Sequence, residues 1–437
     1  MSQSNTPFHL SPAVREHLTP SPTLAINEQV GRMWAEGETV YHLGFGESRF
    51  PVHPKIQEAL RANVHQKSYL AGQGLLELRE MAAQFYSRRL KLDISPDQVI
   101  IGPGSKSLIF AVQMALDATL ILPTPSWVSY EPQAHLLAKP VQRIPASPAD
   151  GYALSLDALA DAVQQVESEN KILLITSPDN PTGKMYDERF LRHLAGFCRA
   201  HGIVVISDEI YALLSRAPNQ HISVARYYPE GTVVLSGLSK HLSLGGWRIG
   251  VGIAPDSEEG RLLMAALRVI ASEIWSTPTG PIQYAAVLAF SEDPDVVAYI
   301  DECRRIHTIR TQYLWRELAA TGAACVQPQG AFYLFPNFDR WRDPLAARGV
   351  HTSADLAHHL LREHQLATLP GSAFGAPPED LSLRLASSYL DMENDEKAQA
   401  ILGAYRANPD PDVFIRDHHP ATQEAARRFH VFVDSLA

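Results

Sequence analysis

The middle of the chain alternates short β-branched runs with helical patterns, and this alternation constrains the fold more than any other feature of the sequence. The runs occur at residues 99–101, 119–122, 172–176, 203–207, 232–236 and 249–253. The clearest helical pattern covers residues 187–201, where Asp187 suits the N-cap and Gly202 suits the C-terminal stop. Apolar strands that alternate with helices are typical of a mostly parallel sheet with helices on both faces. The sequence therefore predicts an α/β fold.

A change of pattern near Ser291 predicts a second, smaller α+β domain. Helical patterns dominate from there on, and AFYLFP at residues 331–336 is a strand-like exception. A chain of 437 residues is long enough for such an arrangement. The predicted layout is an N-terminal arm with part of the small domain at 1–50, a large domain at 51–304, the small domain at 305–408 and a C-terminal extension at 409–437.

Prolines mark both ends of the chain. Pro7, Pro12, Pro20 and Pro22 predict an extended arm rather than a helix, because proline fixes φ and biases the preceding residue toward extended geometry. Near the other end, the run NPDPD predicts a break. The segment after it, ATQEAARRFHVFVDSLA, is typical of a short terminal helix.

The charge balance and the cysteines narrow the possible partners and the location. Lysine and arginine total 38 against 48 aspartates and glutamates, which argues against nucleic acid or an anionic membrane as the main partner. Cys198, Cys303 and Cys325 share no short spacing, so we expect buried free thiols in a reducing compartment and no bound metal. No apolar run approaches the ~20 residues that cross a bilayer. The start of the chain lacks the pattern of a secretory signal, so we expect a cytoplasmic protein.

Polar groups follow the predicted strands, at the edge where ligands of open α/β sheets bind. After the strand at 99–101 comes the run GPGSKS at 102–107, and a helical pattern follows it. The free N–H groups at such a helix start suit a phosphate. The run also fits an ordinary turn, and its spacing does not match a nucleotide P-loop.

Three further strands end in an amide, a carboxylate and a lysine. Asn180 follows the strand at 172–176, Asp208 the next strand, and Lys240 the strand at 232–236. A buried carboxylate needs a cation or a donor, and a desolvated amine is a nucleophile toward a carbonyl. Taken alone, each residue also fits a plainer interpretation: a turn, a helix cap or salt bridge, or a solvated surface lysine.

The order and spacing of these residues together are more specific. Asp208 in DEIY lies 28 residues after Asn180 in NPTG. Lys240 in SK lies 32 residues further on, and Arg248 in GWRIG follows after eight more. This pattern resembles the pyridoxal 5′-phosphate-dependent class I/II aminotransferases of fold type I, and among them the aspartate and aromatic aminotransferases. Other segments also fall in the family's order, from Leu24 to Leu390: TLAINEQV, GESRF, SYLAGQGLLELRE, PSWVSY, GAFYLFP, LPGSAFG and LRLASSY.

The resemblance implies a fold and a cofactor. The fold is a mostly parallel seven-stranded sheet flanked by helices, with a smaller α+β domain beside it. The large domain would bind pyridoxal 5′-phosphate. Lys240 would form a Schiff base with this cofactor and move the α-proton, while Asp208 would pair with the ring nitrogen. Tyr211 and Asn180 would bond the phenolic oxygen, and Trp127 would stack on the ring. Lys240, Asp208 and Tyr211 are thus the expected catalytic residues.

The resemblance also implies a phosphate site shared between subunits. Arg248 and the turn of Gly104, Ser105 and Lys106 would hold the phosphate. Tyr69 would reach the phosphate of the neighbouring subunit, so a homodimer with shared active sites is expected.

One position departs from the family's pattern. Gly237 stands three residues before the lysine, where a phosphate-binding hydroxyl is usual, and Ser236 and Ser239 lie on either side of Gly237. Either a neighbouring serine supplies the hydroxyl, or the phosphate site has one hydrogen-bond donor fewer. We include Ser239 in the expected cofactor site.

For the substrate, the resemblance implies a carboxylate clamp. Arg384 in LRLASSY would bind the α-carboxylate bidentately, and Gly46 in GESRF would lie close to it. Asn180 and Lys106 complete the expected substrate site, with Lys106 selecting an acidic partner such as glutamate or 2-oxoglutarate. The bulky run EIW at 273–275 occupies a stretch that is mostly small and hydroxylated in relatives, so the substrate stays open.

The resulting hypothesis is an aminotransferase that moves an amino group between an L-amino acid and a 2-oxo acid. The alternative is a lyase, cyclase or oxidase that uses the same fold and cofactor, because the shared residues serve all of these reactions. A third possibility is a regulator built on the fold. Such proteins carry a DNA-binding module at the N-terminus, and residues 1–22 are too short and too rich in proline for one.

Overall fold

The structure is a computed structural model that describes residues 10–15, 21–218 and 220–436. The strands are β1 (Tyr41–His42), β2 (Val99–Pro103), β3 (Thr119–Thr124), β4 (Val141–Pro145), β5 (Lys171–Thr176), β6 (Ile203–Asp208), β7 (Thr232–Gly237), β8 (Ile249–Ile253), β9 (Tyr333–Leu334), β10 (Leu366–Ala367), β11 (Leu369–Pro370) and β12 (Leu383–Ala386). The α-helices are α1 (Pro12–Arg15), α2 (Pro22–Ala35), α3 (Pro54–Asn63), α4 (Leu76–Leu90), α5 (Ser105–Ala115), α6 (Tyr130–Leu136), α7 (Leu156–Gln165), α8 (Glu188–Ala200), α9 (Glu258–Ile274), α10 (Gly280–Phe290), α11 (Pro294–Ala320), α12 (Arg342–Ala346), α13 (Ser353–His364), α14 (Asp395–Ala407), α15 (Pro411–His418) and α16 (Pro420–Asp434).

A seven-stranded sheet in the order β2-β8-β7-β6-β5-β3-β4 forms the centre of the fold. β8 runs antiparallel to both of its neighbours, and the other pairs are parallel. Successive residues of β2 face opposite sides: Val99 and Ile101 enter one apolar cluster and Ile100 another. Both faces are therefore covered, which confirms the predicted mostly parallel α/β sheet and its six predicted strands. The edge strand β4 was not predicted, because its sequence VQRIP is half-exposed and mixes polar with apolar residues.

The predicted helix at 187–201 is confirmed as α8. Its N-cap is Asp187, whose carboxylate accepts a hydrogen bond from the Phe190 N–H at 2.7 Å. Gly202, just beyond the helix, has φ +61°, a conformation that glycine adopts without strain. Leu191 and Leu194 of this helix are buried against the sheet.

Two small sheets and a second apolar cluster lie beside the large sheet. β9, β12 and β11 form an antiparallel sheet, and β1 pairs in parallel with β10. The long helix α11 joins the two regions, since Ile306 packs in the cluster of the large sheet and Leu314 in the second cluster. The predicted boundary at residue 304 falls inside this helix, and the division into domains stays a prediction. The strand predicted at 331–336 is present as the shorter β9.

The prediction for the N-terminal segment is partly wrong, whereas the prediction of a C-terminal helix is confirmed. The expectation of an arm without helix is wrong for Pro12–Arg15, which form one helical turn, while residues 1–9 and 16–20 lie outside the described residues. Pro22 starts α2, because proline at the first helical position has a suitable φ and no N–H to satisfy. The terminal helix is confirmed as α16.

The C-terminal extension packs on the second cluster. Phe429 and Phe432 of α16 are buried there beside Leu314. The Asp391 carboxylate accepts hydrogen bonds from the N–H groups of Ala421 and Thr422 at 2.8 and 3.0 Å, which fixes the start of α16. Within the described residues, no helix is long and apolar enough to cross a membrane.

Candidate active site

The carboxyl ends of β5, β6 and β7 bring Asn180, Asp208 and Lys240 to one edge of the sheet. The Lys240 Nζ atom donates a hydrogen bond to the Gly46 carbonyl oxygen at 2.7 Å. It also lies 5.6 Å from the ring centre of Tyr211 and 5.8 Å from that of Phe332. The lysine therefore lies in an aromatic pocket and not in bulk water.

Asp208 is a buried carboxylate held by neutral donors. It accepts hydrogen bonds from the Tyr130 hydroxyl at 2.8 Å and from the Ile210 N–H at 3.1 Å. Thr176 contacts the same Tyr130 hydroxyl at 2.7 Å. Burial raises the pKa of Asp208 to about 6, although the Tyr130 and Ile210 hydrogen bonds and the Lys240 charge lower it. In the part of the chain that the structure describes, no basic nitrogen lies within 4 Å of this carboxylate, so a cationic ligand atom suits it.

Asn180 and Tyr211 offer polar groups to the same space. Asn180 is buried, and its Oδ1 atom has no hydrogen-bond partner among the described residues. The Tyr211 hydroxyl lies 2.7 Å from the Tyr333 hydroxyl. Burial raises the pKa of Tyr211 well above its usual value, so this hydroxyl stays protonated and is able to donate.

Gly104 and Arg248 form an anion cradle at the start of α5. Gly104 has φ +87°, and a Cβ atom there would lie 2.2 Å from Nη2 of Arg248. The Arg248 guanidinium donates to the carbonyl oxygens of Gly245 at 2.9 Å and Pro103 at 3.1 Å, and no carboxylate within the described chain pairs with it. A cation beside the free N–H groups of a helix start, including that of Ser105, suits a phosphate.

The geometry gives a physical reason for Gly237. This residue pairs with Gly250 of β8, and a Cβ atom on it would lie 2.4 Å from the Ile249 carbonyl oxygen. A hydroxylated side chain therefore has no room there. Ser236 donates to the Glu209 carbonyl oxygen at 3.3 Å, whereas the half-buried Ser239 makes no hydrogen bond within the described residues. Of the two flanking serines, Ser239 is the one left available.

Arg384 is a buried cation that contacts the segment of Gly46 at Gly44. Its Nη2 donates to the Gly44 carbonyl oxygen at 2.7 Å, and its Nε has no partner in the described chain. Its guanidinium carbon lies 4.8 Å from the ring centre of Tyr333. A Cβ atom on Gly46 would lie 2.2 Å from the Tyr333 hydroxyl oxygen, so only glycine fits at position 46.

Lys106, Trp127 and Tyr69 lie at the periphery. The Lys106 Nζ atom is 5.0 Å from the ring centre of Trp127. Lys106 is exposed, and desolvation together with the charges of Arg248 and Lys240 lowers the pKa of its amine. Tyr69 is 88% exposed and makes no hydrogen bond in the described chain, so the structure does not bring it to the site of its own subunit.

Several residues of the site were missed in the sequence. Tyr130 donates to Asp208, Thr176 contacts the Tyr130 hydroxyl, and Tyr333 contacts Tyr211. Tyr130 closes the PSWVSY segment and Tyr333 lies in GAFYLFP, so the motifs contain a signal for both. Thr176, the last residue of β5, carries no signal beyond its place at a strand end.

In the region 273–275, Trp275 packs against an apolar cluster and Ile274 is 53% exposed. The residues present fit pyridoxal 5′-phosphate: a buried carboxylate for a protonated ring nitrogen, the Nδ2 donor of the buried Asn180 amide for the phenolic oxygen, and the Arg248 cradle for the phosphate.

Comparisons with known proteins agree with this fit. The sequence model of the family "Aminotransferase class I and II" matches residues 38–401. An aspartate aminotransferase of Geobacillus stearothermophilus is 35% identical, over 86% of this chain and 94% of that protein. A probable aspartate/prephenate aminotransferase of Aquifex aeolicus is 33% identical, over 83% of this chain and 90% of that protein. The solved structure of Thermus thermophilus aspartate aminotransferase with maleate superposes with a TM-score of 0.80 at 26% identity, over 96% of this chain and 100% of that one. The chain therefore belongs to the class I and II aminotransferases, and it is a pyridoxal 5′-phosphate-dependent enzyme that transfers amino groups.

Proposed function

We propose that this aminotransferase exchanges an amino group between an L-amino acid and a 2-oxo acid, at least one of them a dicarboxylate, at sites shared by two subunits. The observation that carries the proposal is a pair of unpaired cations around Lys240. Arg384 is 1% exposed, and within the described residues neither Arg384 nor Lys106 has a carboxylate oxygen within 4 Å. The Arg384 Nε group has no partner among the described residues, and a buried charge is stabilised by pairing, so a substrate carboxylate suits it.

Each of the two cations would bind one end of a dicarboxylate. Arg384 would bind the α-carboxylate in a bidentate manner, since its Nε and Nη groups form a planar fork. Gly46, which the Tyr333 hydroxyl approaches closely, would lie near that carboxylate. Lys106, above the Trp127 ring, would bind the second carboxylate. Relatives named aspartate aminotransferases support this choice of substrate.

The residues around Lys240 would position the cofactor and move a proton. When bound, pyridoxal 5′-phosphate supplies an electron sink for bond breaking at the substrate α-carbon. Asp208 would hold the proton on the ring nitrogen, and Asn180 and Tyr211 would donate to the phenolic oxygen. The Lys240 Nζ atom would hold the cofactor covalently, and its free amine would take the α-proton and return it.

The phosphate would be held by the chain's own cradle and by a second subunit. Arg248, the N–H groups of Ser105 and Lys106, and the Ser239 hydroxyl would bind its oxygens, with Trp127 stacked on the ring. Tyr69, which is 88% exposed, would complete the phosphate site of a partner subunit in a homodimer. The enzyme would act in the cytoplasm, where its free thiols Cys198, Cys303 and Cys325 stay reduced.

A half-reaction experiment tests the proposal. The holoenzyme is mixed with L-aspartate, L-glutamate or L-alanine, and the visible absorbance of the bound cofactor is followed. We expect the absorbance to fall fastest with the two dicarboxylic amino acids and to recover when 2-oxoglutarate is added. A faster fall with L-alanine would contradict the substrate class. Release of ammonia without any 2-oxo acid would instead favour a lyase or an oxidase.

A further inference from the structure

Three side chains next to Lys240 form a hydrogen-bonded chain that the proposed mechanism does not use. The Ser243 and Ser48 Oγ atoms are 2.6 Å apart, and the Ser48 Oγ atom is 2.9 Å from Nε2 of His307. Ser48 and His307 are buried, and Ser243 is half-buried. If His307 accepts at Nε2, Ser48 donates to it and accepts from Ser243, so both serine protons are used.

This chain of hydrogen bonds joins three distant parts of the sequence around the lysine. Ser48 lies two residues after Gly46, whose carbonyl oxygen accepts the hydrogen bond from Lys240. Ser243 lies three residues after Lys240. His307 belongs to α11, the helix that joins the two apolar clusters. The segment of Gly46 and the segment of Lys240 are therefore tied at two points.

Ser243 has an uncommon backbone conformation for its residue type. Its φ is +58°, a region that non-glycine residues seldom occupy, so surrounding contacts must hold it there. The hydrogen bond to Ser48 is such a contact. This backbone conformation also directs the Ser243 side chain toward Ser48 and sets the course of the backbone after Lys240.

His307 is surrounded by groups that keep it neutral. It packs against Phe50 and Phe332, with ring centres 5.0 and 4.9 Å away, and Phe332 also contacts the Lys240 amine. Burial, followed by the charges of Arg310 and Lys240, holds the pKa of His307 well below its usual value. No carboxylate within the described residues lies within 4 Å of its ring. A neutral imidazole with its proton on Nδ1 accepts a hydrogen bond from the Ser48 hydroxyl at Nε2.

We propose that Ser48, Ser243 and His307 form a latch that fixes the segment following Lys240 against the segment of Gly46, and so positions the free Lys240 amine for proton transfer, with His307 as the positioning residue. The inference rests on the proposed role of Lys240. Loss of the latch frees the segment after Lys240 and lets the amine drift from the substrate α-carbon. A small misplacement of a group that transfers a proton lowers the rate of that step and leaves substrate binding nearly unchanged.

The test compares three latch variants with a matched control in the holoenzyme. The latch variants are Ser48→Ala, Ser243→Ala and His307→Leu. The control is Thr308→Val, because Thr308 also lies on α11 and its hydroxyl donates to the Arg304 carbonyl oxygen of the same helix at 2.9 Å, not to a latch residue. We expect each latch variant to lose about tenfold in kcat with KM changed less than about twofold, whereas the control keeps both.

Two further measurements separate positioning from general stability. The visible circular dichroism band of the bound cofactor reports the orientation of the ring, and we expect it to change in the latch variants alone. The Ser48→Ala/His307→Leu double variant is expected to be no worse than either single variant, because the three residues act as one unit. His307→Gln, whose amide reaches toward the Nε2 position, is expected to recover part of kcat.

The latch is wrong if Ser48→Ala and Ser243→Ala match the control in kcat and in the dichroism band. These two small truncations decide the question even if His307→Leu fails to fold. Lys240→Ala, reduced with borohydride in parallel, tests the underlying assignment separately. If that variant still bound the cofactor covalently, the role of Lys240 would be wrong, whatever the latch variants show.

Discussion

Gly46 and Tyr333 leave no space between them: a Cβ atom on Gly46 would lie 2.2 Å from the Tyr333 hydroxyl oxygen and 2.6 Å from its ring. The same hydroxyl contacts Tyr211 at 2.7 Å, and the Gly46 carbonyl oxygen accepts from Lys240 at 2.7 Å. A methyl group at position 46 therefore disturbs two neighbours of the lysine at once.

We expect Gly46→Ala to lower kcat/KM by at least about tenfold, because Tyr333 must move and take the Tyr211 contact with it. Steady-state kinetics of the holoenzyme measures the loss. Gly196→Ala in α8 is the matched control, since a Cβ atom there meets nothing within 4 Å, and it is expected to leave kcat/KM unchanged. Full activity of Gly46→Ala would contradict the close approach.

Asp208 makes the cofactor-free enzyme sensitive to pH. Its pKa is about 6 in the folded chain against an ordinary 3.8, so the folded state binds the extra proton between these values. As pH rises through that window, the free energy of unfolding therefore falls by about 3 kcal/mol through this group alone. Asp179 and Glu209, whose pKa values burial raises to about 6 and about 7, act in the same direction.

We expect the change in unfolding free energy caused by Asp208→Asn to be more favourable above about pH 7 than near pH 4 in the cofactor-free enzyme. The reason is that the neutral amide has no charge to bury. Urea unfolding of both apoenzymes at the two pH values measures the difference. The same variant is expected to bind pyridoxal 5′-phosphate more weakly. An Asp208→Asn apoenzyme with the pH dependence of the parent would show that this carboxyl does not titrate in the window.

Lys106 is expected to discriminate between acceptors. Removing its charge-assisted hydrogen bond to a second carboxylate, worth ~1.5–3 kcal/mol, makes Lys106→Ala lose about tenfold or more in kcat/KM with 2-oxoglutarate and much less with pyruvate. Lys184→Ala serves as a control for the loss of a positive charge elsewhere. Equal losses with both acceptors would mean that Lys106 serves the cofactor alone.

Phe432 is expected to hold the C-terminal helix in place. The side chain is fully buried, so Phe432→Ala should cost about 3–5 kcal/mol of unfolding free energy, measured by urea titration. The preceding residue, Val431, is 45% exposed, and Val431→Ala should change stability by no more than about 0.5 kcal/mol. Similar effects of the two substitutions would argue that the helix does not pack as described.

Much of the sheet could be predicted because its signals are local. β-branched runs mark the strands, and the carboxyl ends of parallel strands meet at one edge, which is why Asn180, Asp208 and Lys240 were expected together. Contacts between distant segments have no such signal. The Tyr130 hydrogen bond to Asp208 spans 78 residues, and that of Ser48 to His307 spans 259.

Exceptions to local rules could not be predicted from the sequence either. Proline at position 12 suggested extended chain, yet it stands at the first position of a helical turn, where proline is tolerated. The sequence showed only that Gly237 lacks the hydroxyl usual at this place in the phosphate site. The structure explains the glycine, because the Ile249 carbonyl of the neighbouring strand leaves no room for a side chain. The roles proposed for the site residues stay predictions until variants are measured.

The second apolar cluster draws on both ends of the chain, and this fixes the order in which the protein is able to fold during synthesis. Leu43 and Phe432 are buried in the same cluster, and β1 pairs with β10. All seven strands of the large sheet lie between residues 99 and 253, so that sheet is complete while the ribosome is still adding α11. Leu43 lies in the cluster beside β1, whose partner β10 is made more than 320 residues later, and the cluster is complete only once α16 has been added. Until then, the apolar residues of this cluster that have already emerged are exposed to chaperones and to aggregation.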